Sequence, residues 1–213
     1  MKILVTGFDP FNNQSINPTQ LIIEQLPKQI GLIEIIPLLL PTVRFESTNI
    51  LINSIKKHKP DAVLMLGQAS KIEGFHVERV AINIDDFRIK DNHQNQPIDQ
   101  PIHLDGKSAY FSTLPIKKIV ASMNDFGFKS TISNSAGTFV CNHVFYGCAH
   151  FIQTTKLATT YGFIHVPFET SQTNSHQFSL PLDAMIKAIL IAIQTIFDDL
   201  IYDVSEPFEK FHK

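Results

Sequence analysis

The sequence predicts an α/β fold in which a mostly parallel β-sheet is covered by helices on both faces. Three apolar segments, KILVTG, LIEIIPLLLP and DAVLMLG, lack the alternation of a strand with one exposed face. Helical segments separate them, and the first and third segments end at glycines, Gly7 and Gly67. Folds of this kind bind ligands beyond the carboxyl ends of their strands, so we expect the functional site at that edge.

In the first half of the chain, helix signals follow each strand. Asn17 is a candidate N-cap, Pro18 occupies the first helical position and Pro27 is a stop signal. We expect a second helix over residues 47–58. Pro37 lies inside the second strand and removes a donor from the ladder. That strand is therefore predicted at a sheet edge or beside a bulge.

The second half of the chain opens with a long polar segment, residues 70–114. In so compact a chain, a connection of this length is expected to hold a hairpin and part of the site. A short strand is expected at STIS, and a clear one at YGFIHVPF, which contains His165. Apolar residues at helical spacing predict two further helices, the first through Ile116, Ile119, Val120 and Met123 and the last through Ile186, Ile189, Leu190, Ile193, Ile196 and Phe197.

The whole chain is expected to form a single domain, residues 1–213, with a flexible tail from about residue 204. A net charge of −2 gives no basic surface for nucleic acid or an anionic membrane. The start, MKILVTGFDPF, lacks the pattern of a signal peptide, and the apolar stretch 185–197 is too short and too polar to span a bilayer. We therefore expect a cytoplasmic protein without a disulfide framework.

Both cysteines lie in SNSAGTFVCNHVFYGCAH, where a small-residue run precedes an expected helix. Cys141, His143, Cys148 and His150 resemble a zinc cluster. On a helix, however, positions 141 and 143 point about 200° apart, and positions 141 and 148 lie roughly 10 Å apart along the axis. One tetrahedral ion cannot use ligands so placed, so the pattern excludes zinc. Cys148 is expected to be a core thiol.

The residues alone leave two interpretations of Cys141 open: it is either a nucleophile or an inert core thiol. The positive end of a helix favours a thiolate, and the free N–H groups of a first turn can hold an oxyanion. A nucleophile needs a base, and His165, on a rigid strand, suits that role. Five of the other eight histidines are expected in solvent or on a helix surface: His58, His93, His103, His143 and His150. Glu73, Glu78 and Glu169 are equal candidates to orient the imidazole.

Four blocks together resemble the pyrrolidone-carboxylate peptidases, also called type I pyroglutamyl peptidases. They are GFDPF, the series GQA, VERVAINIDDFRI, DN and QPID, then SNSAGTFVCNHVFYG, and finally GFIHVPF, in matching order from Lys2 to about Ile196. The resemblance implies a catalytic triad of Cys141, His165 and Glu78. It also implies an α/β/α sandwich around a mixed sheet, and a homotetramer. No metal or organic cofactor is required.

The implied substrate is a small peptide whose N-terminus is pyroglutamate, a neutral five-membered lactam. Such a ring needs apolar walls and a few hydrogen bonds rather than a charged partner. By the resemblance, the substrate-binding residues are Phe8, Phe11, Gln68, Phe139 and Val140, with Arg88 as electrostatic support. The alternatives are a cysteine-dependent amidase acting on another small amide, or a non-catalytic small-molecule binder.

This chain departs from the family pattern around the expected mouth of the pocket. Asn12 and Asn13 stand where two glycines are usual, and asparagine tolerates the left-handed backbone better than most residues. Phe87 and Lys90 replace alanine and proline, and the stretches GQASKIEGF and FETSQTNS also differ. These changes are expected to affect the substrate range rather than the chemistry.

Overall fold

The computed structural model describes residues 1–173 and 177–205, with side chains described as far as Tyr202. The predicted tail lies outside the described residues from position 206 onward. The strands in the described ranges are β1 Lys2–Phe8, β2 Gln29–Ile30, β3 Ile33–Leu40, β4 Ala62–Gln68, β5 Phe75–Glu78, β6 Val80–Ile82, β7 Ala109–Phe111, β8 Ser130–Ser133, β9 Thr160–Val166, β10 Phe168–Glu169 and β11 Ser179–Leu180. The α-helices are α1 Pro18–Gln25, α2 Glu46–His58, α3 Ile116–Asp125, α4 Val140–Thr155 and α5 Leu182–Ser205.

The central sheet has seven strands in the order β2-β3-β1-β4-β9-β5-β8. Strands β3, β1, β4 and β9 are parallel, whereas β2 is antiparallel to β3 and β5 is antiparallel to β9. The predicted mostly parallel, mixed sheet is therefore confirmed. Pro37 is at an edge as expected, because β2 pairs only with Ile33 and Glu34 of β3.

Helices cover both faces of this sheet and make an α/β/α sandwich. Alternate residues of β1 enter opposite cores: Ile3 and Val5 pack with α1, α3 and α5, while Leu4 and Phe8 pack with α2 and α4. Burying a side chain of this size stabilises the fold by about 1.5–3 kcal/mol. Burial on both faces explains why the strand sequences are apolar without alternation.

Two parts of the sequence fold differently from expectation. The segment 70–114 contains the predicted hairpin, formed by β6 and β7, but it also contributes β5 to the central sheet. The sequence FHVE is short and half polar, so it carries no clear strand signal. In α5, Ile189, Ile193 and Ile196 are fully buried as predicted, but Met185, Ala188 and Ala192 are fully buried too. The remaining predicted residues, Ile186, Leu190 and Phe197, are only partly buried against this core.

The cysteine helix, α4, begins at Val140. Phe139 is its N-cap, which places Cys141 inside the first turn. None of the helices in the described part of the chain is long and apolar enough to cross a membrane.

Candidate active site

Three elements bring Cys141, His165 and Glu78 together on the side of the sheet that α4 covers. Cys141 lies in the first turn of α4, and His165 is the penultimate residue of β9. In the antiparallel pairing of β5 with β9, Glu78 is opposite Phe163 and therefore diagonal to His165. Side chains at such diagonal positions lie on one face and within reach of each other.

The imidazole of His165 is held by Glu78. Nδ1 of His165 lies 2.7 Å from Oε1 of Glu78, and the two residues are 7% and 1% exposed. Because the carboxylate can only accept, Nδ1 donates, and the other ring nitrogen, Nε2, remains for the thiol. Within the described residues, Oε2 of Glu78 is buried and receives no hydrogen bond.

The pKa of His165 shows how strongly its surroundings favour the imidazolium. Burial alone lowers this pKa and is the largest single influence. Hydrogen bonding and charge from Cys141 and Glu78 together outweigh burial and raise the pKa to about 10. The group is therefore arranged to carry a proton beside the sulfur at neutral pH.

Cys141 and Cys148 differ in their surroundings. Cys141 is partly exposed. The N-cap residue of α4 is Phe139, whose side chain makes no capping hydrogen bond. The first backbone N–H groups of α4 are therefore left without intrahelical partners beside the sulfur. Cys148 is fully buried in the core, and burial raises its pKa well above the usual range of a thiol. Of the two cysteines, only Cys141 is accessible and also lies beside backbone N–H groups that can stabilise a negative charge.

The three candidate glutamates occupy different places. Glu73 is on the surface, where it forms an ion pair of 2.8 Å with Lys129. Glu169 caps the short 3-10 helix Thr170–Gln172 by accepting from the backbone of Ser171. Of the three, Glu78 alone contacts His165. The geometry thus distinguishes alternatives that the residue types could not.

His143 is not on the helix surface as expected; it is 1% exposed. Its Nδ1 lies 2.8 Å from Asp85, whose Oδ2 also accepts from Nε of Arg44 at 2.7 Å. Its Nε2 accepts from the backbone N–H of Phe45 at 3.1 Å. Since a backbone N–H can only donate, Nε2 carries no proton and the ring is neutral. The partner of His143 could not be predicted from the sequence, because Asp85 is 58 residues away.

His150 is also partly buried rather than a free surface residue. Its Nδ1 lies 3.0 Å from the hydroxyl of Tyr110, and its ring stacks on His103 with centroids 4.1 Å apart. The four residues considered as zinc ligands therefore do not converge. In the two described ranges, no group of three or more His, Cys, Asp or Glu side chains is arranged to hold a metal ion.

A cavity of about 430 Å³ opens beside Cys141 and His165. Glu78 lies behind His165 and does not line it. Phe11 and Phe87 both contact the ring of Phe139, at centroid distances of 5.9 and 4.7 Å. The sequence-predicted residues that line the cavity are Phe8, Phe11, Gln68, Arg88, Phe139, Val140, Cys141 and His165.

The loop after β1 holds the aromatic wall by hydrogen bonds that sequence reasoning missed. Oδ1 of Asp9 accepts a hydrogen bond from the backbone N–H of Thr42 at 2.6 Å. The backbone carbonyl of Asp9 accepts one from the side-chain amide of Asn17 at 3.0 Å. Asn12 and Asn13 adopt φ angles of 53° and 60°. The left-handed turn expected from the usual glycines is therefore kept.

Asn142 fixes the start of the cysteine helix to the 70–114 segment. Its side chain accepts from the backbone N–H of Ile82 and donates to the carbonyls of Ile82 and Ile84, at 2.9–3.0 Å. The side chain is completely buried. This position was not singled out from the sequence, although it directly follows the candidate nucleophile.

A thiol, an imidazole and a carboxylate beside an apolar cavity are the groups of a cysteine hydrolase. The sequence model of the pyroglutamyl peptidase family matches residues 1–199, and the chain belongs to this family. It is 50% identical over 198 residues, 92% of each chain, to a pyrrolidone-carboxylate peptidase of Fusobacterium nucleatum.

Solved structures agree with this assignment. The chain matches pyroglutamyl peptidase I from Bacillus amyloliquefaciens with a TM-score of 0.89 and 40% identity, covering 92% of this chain and 94% of the other. It matches a mutant pyrrolidone carboxyl peptidase from Pyrococcus furiosus with a TM-score of 0.91 and 35% identity, covering 94% and 100%. The family resemblance and the α/β/α fold are confirmed.

Proposed function

We propose that this protein is a cysteine exopeptidase that removes pyroglutamate from the N-terminus of peptides. The observation that carries the proposal is the contact of His165 with buried Glu78, on the wall of the cavity that also contains Cys141. Cys141 acts as the nucleophile, His165 as the acid and base, and Glu78 as the residue that orients the imidazole.

Acylation begins when the thiolate of Cys141 attacks the carbonyl carbon that joins the pyroglutamyl residue to the next amino acid. A C–S bond forms, and the carbonyl oxygen becomes an oxyanion held by backbone N–H groups at the start of α4, with Arg88 nearby. The imidazolium of His165 then donates its proton to the departing amine, and the C–N bond breaks.

Deacylation uses the same imidazole as a base. Neutral His165 takes a proton from water, and the water oxygen attacks the thioester carbon. The C–S bond then breaks, its electron pair returns to Cys141 as a thiolate, and free pyroglutamate leaves. His165 keeps the proton, so the thiolate–imidazolium pair is restored without a cofactor. Glu78 stabilises the imidazolium at each stage in which it is charged.

Recognition of a neutral ring fits the chemistry of the cavity. Phe8 and Val140 are fully buried and form its apolar base, while Phe11 and Phe139 are partly exposed at its wall. Aromatic faces exclude water from a flat lactam and select its shape. The lactam nitrogen carries no ammonium charge, so binding requires no carboxylate.

The direct test is turnover of a pyroglutamyl coumarin amide by the wild type, Cys141→Ser and the matched variant Cys148→Ser. We expect Cys141→Ser to be inactive and folded, and Cys148→Ser to retain most of its activity. An active Cys141→Ser variant would overturn the assignment. Turnover only of a different small amide by the wild type would replace pyroglutamate with that substrate class.

We further infer that the enzyme works in the cytoplasm as a homotetramer, on small peptides and without nucleic acid or membrane partners. The net charge of −2 and the family resemblance support this inference. Light scattering on the purified protein tests the assembly. A monomer mass at micromolar concentration would contradict the tetramer.

A further inference from the structure

Gln172, in the 3-10 helix that follows β10, has an amide whose orientation is fixed by backbone groups. Its Oε1 accepts from the backbone N–H of Glu169 at 2.9 Å. Its Nε2 donates to the backbone carbonyl of Ile16 at 3.2 Å. A backbone N–H can only donate and a carbonyl can only accept, so the two ends of this amide cannot be exchanged.

The fixed amide of Gln172 in turn orients Gln68. Nε2 of Gln172 lies 3.0 Å from Oε1 of Gln68, so Gln68 must present its carbonyl oxygen to Gln172. The NH₂ group of Gln68 takes no part in this contact. No residue in the described ranges accepts a hydrogen bond from it, although Gln68 lines the cavity beside Cys141.

The same amide joins three parts of the cavity wall. Gln172 lies after β10, Gln68 ends β4, and Ile16 belongs to the loop between β1 and α1 that also carries Phe11. A longer contact of 3.4 Å reaches Gln14 in that loop. One side chain therefore sets the direction of a polar group in the cavity wall, which also contains the aromatic rings of Phe8, Phe11 and Phe139.

The ring carbonyl is what distinguishes pyroglutamate from proline, and it can only accept a hydrogen bond. A donor held in one direction favours that carbonyl, whereas a freely turning amide would present its oxygen about as easily. We propose that Gln172 is a specificity-positioning residue that holds the Gln68 NH₂ group toward the ring carbonyl of the substrate. The proposal rests on the proposed function and deepens it.

The test uses Gln172→Glu, because that change keeps an oxygen for the Glu169 N–H but removes the NH₂ group. The new carboxylate would draw the Gln68 NH₂ to itself and turn the Gln68 oxygen toward the cavity. We expect KM for a pyroglutamyl coumarin amide to rise about 10- to 100-fold. We expect kcat to change less than about three-fold, because Gln172 touches none of the triad residues.

Two further variants control for loss of structure. Gln172→Leu removes the donor without adding charge and should raise KM in the same direction. Ser171→Ala lies in the same 3-10 helix but contacts Glu169 rather than Gln68, so its KM should match the wild type. An unchanged KM in both Gln172 variants would overturn the proposal. A fall in kcat and in Cys141 labelling together with the rise in KM would also overturn the proposal, because that pattern is expected of a residue that is needed only for the structure.

A second readout separates this inference from the proposed function. We would measure how 2-pyrrolidone, the bare lactam ring, protects Cys141 from iodoacetamide. Protection in the wild type that is weakened about 10-fold or more in Gln172→Glu supports the positioning role even if no peptide is cleaved. Equal protection in both proteins refutes it, whatever the turnover of the wild type.

Discussion

Two of the histidines that are buried in the described part of the chain, His143 and His165, each hold a carboxylate through Nδ1, and the opposite ring nitrogen distinguishes their roles. In His143 that nitrogen accepts from the backbone of Phe45, so both nitrogens are occupied and the ring only supports the fold. In His165 the opposite nitrogen, Nε2, remains available to the thiol of Cys141. An imidazole paired with a carboxylate is thus not sufficient to mark a catalytic base.

Glu78→Gln should lower kcat by roughly 10²-fold or more while leaving the fold intact, since the amide no longer stabilises the imidazolium. Glu78 helps to raise the pKa of His165, so losing its charge lowers that pKa. The alkaline limb of the kcat/KM profile, where His165 loses its proton, should therefore move to lower pH. Circular dichroism and a pH–rate profile check this, and an unmoved limb would contradict it.

Phe11→Ala should reduce kcat/KM for the pyroglutamyl substrate by roughly 10- to 100-fold, the loss expected for a large apolar contact. The ring of Phe11 lies against Phe139 at the cavity wall and does not touch the triad. Labelling of Cys141 by iodoacetamide should therefore stay near the wild-type rate. If Phe11 serves only core packing, Tm falls while kcat/KM per folded enzyme is unchanged.

At the scale of elements, the sulfur of Cys141 lies where β4 and α4 approach closely. A Cβ on Gly67 would lie 2.8 Å from Sγ of Cys141 and 2.6 Å from the ring of Phe163. No side chain fits at position 67, because the thiol of Cys141 and the rigid ring of Phe163 occupy the space, and glycine is therefore required there. Packing of this strand against the helix therefore restricts the position of the sulfur of Cys141, the proposed nucleophile.

Gly67→Ala should lower both stability and thiol reactivity. Overpacking of this kind costs about 1–3 kcal/mol, and the displaced sulfur should react more slowly with iodoacetamide. Gly7→Ala is the matched control, because its Cβ would meet the backbone oxygen of Thr19 at 2.4 Å, away from Cys141. We expect Gly7→Ala to lower Tm with normal labelling per folded enzyme. Normal labelling in Gly67→Ala as well would refute the claim about the sulfur.

For the whole molecule, acid sensitivity follows from histidines that are held neutral. Burial lowers the pKa of both His103 and His150, and the charge of His150 lowers that of His103 further. At these two rings the folded state therefore binds protons less readily than the unfolded chain, whereas His165, with its raised pKa, acts in the opposite direction. The stability that these two rings contribute is present above the ordinary histidine pKa of about 6.5 and is lost as the pH falls below it.

We accordingly expect Tm to fall between about pH 7 and pH 5, and to fall less steeply in His150→Gln. The replacement removes one of two stacked rings that would otherwise both become charged. Thermal unfolding followed by circular dichroism across this pH range measures the slopes. Parallel curves for the variant and the wild type would show that the stacked pair does not contribute.

Local patterns in the sequence determined most of the fold. Uninterrupted apolar runs indicated buried parallel strands, Asn17 and Pro18 marked the start of α1, and four short blocks identified the family. These features depend on neighbours in the chain, so they can be read without coordinates. The strand β5 could not be read in this way, because FHVE becomes a strand only through pairing with β9 and β8.

The tertiary structure shows which charged groups meet. From residue types alone, Glu73, Glu78 and Glu169 were equal candidates, and the family resemblance selected Glu78; the structure brings it into contact with His165, 87 residues away. The pairing of His143 with Asp85, in contrast, could not be predicted from the sequence. Hydrogen bonds between side chains depend on distance in space and on strand register, and neither is encoded within a local window of sequence. The sequence thus determined most of the elements and the family, whereas the strand β5 and the packing of β5, β9 and α4, which sets the geometry of the site, depend on contacts between distant parts of the chain.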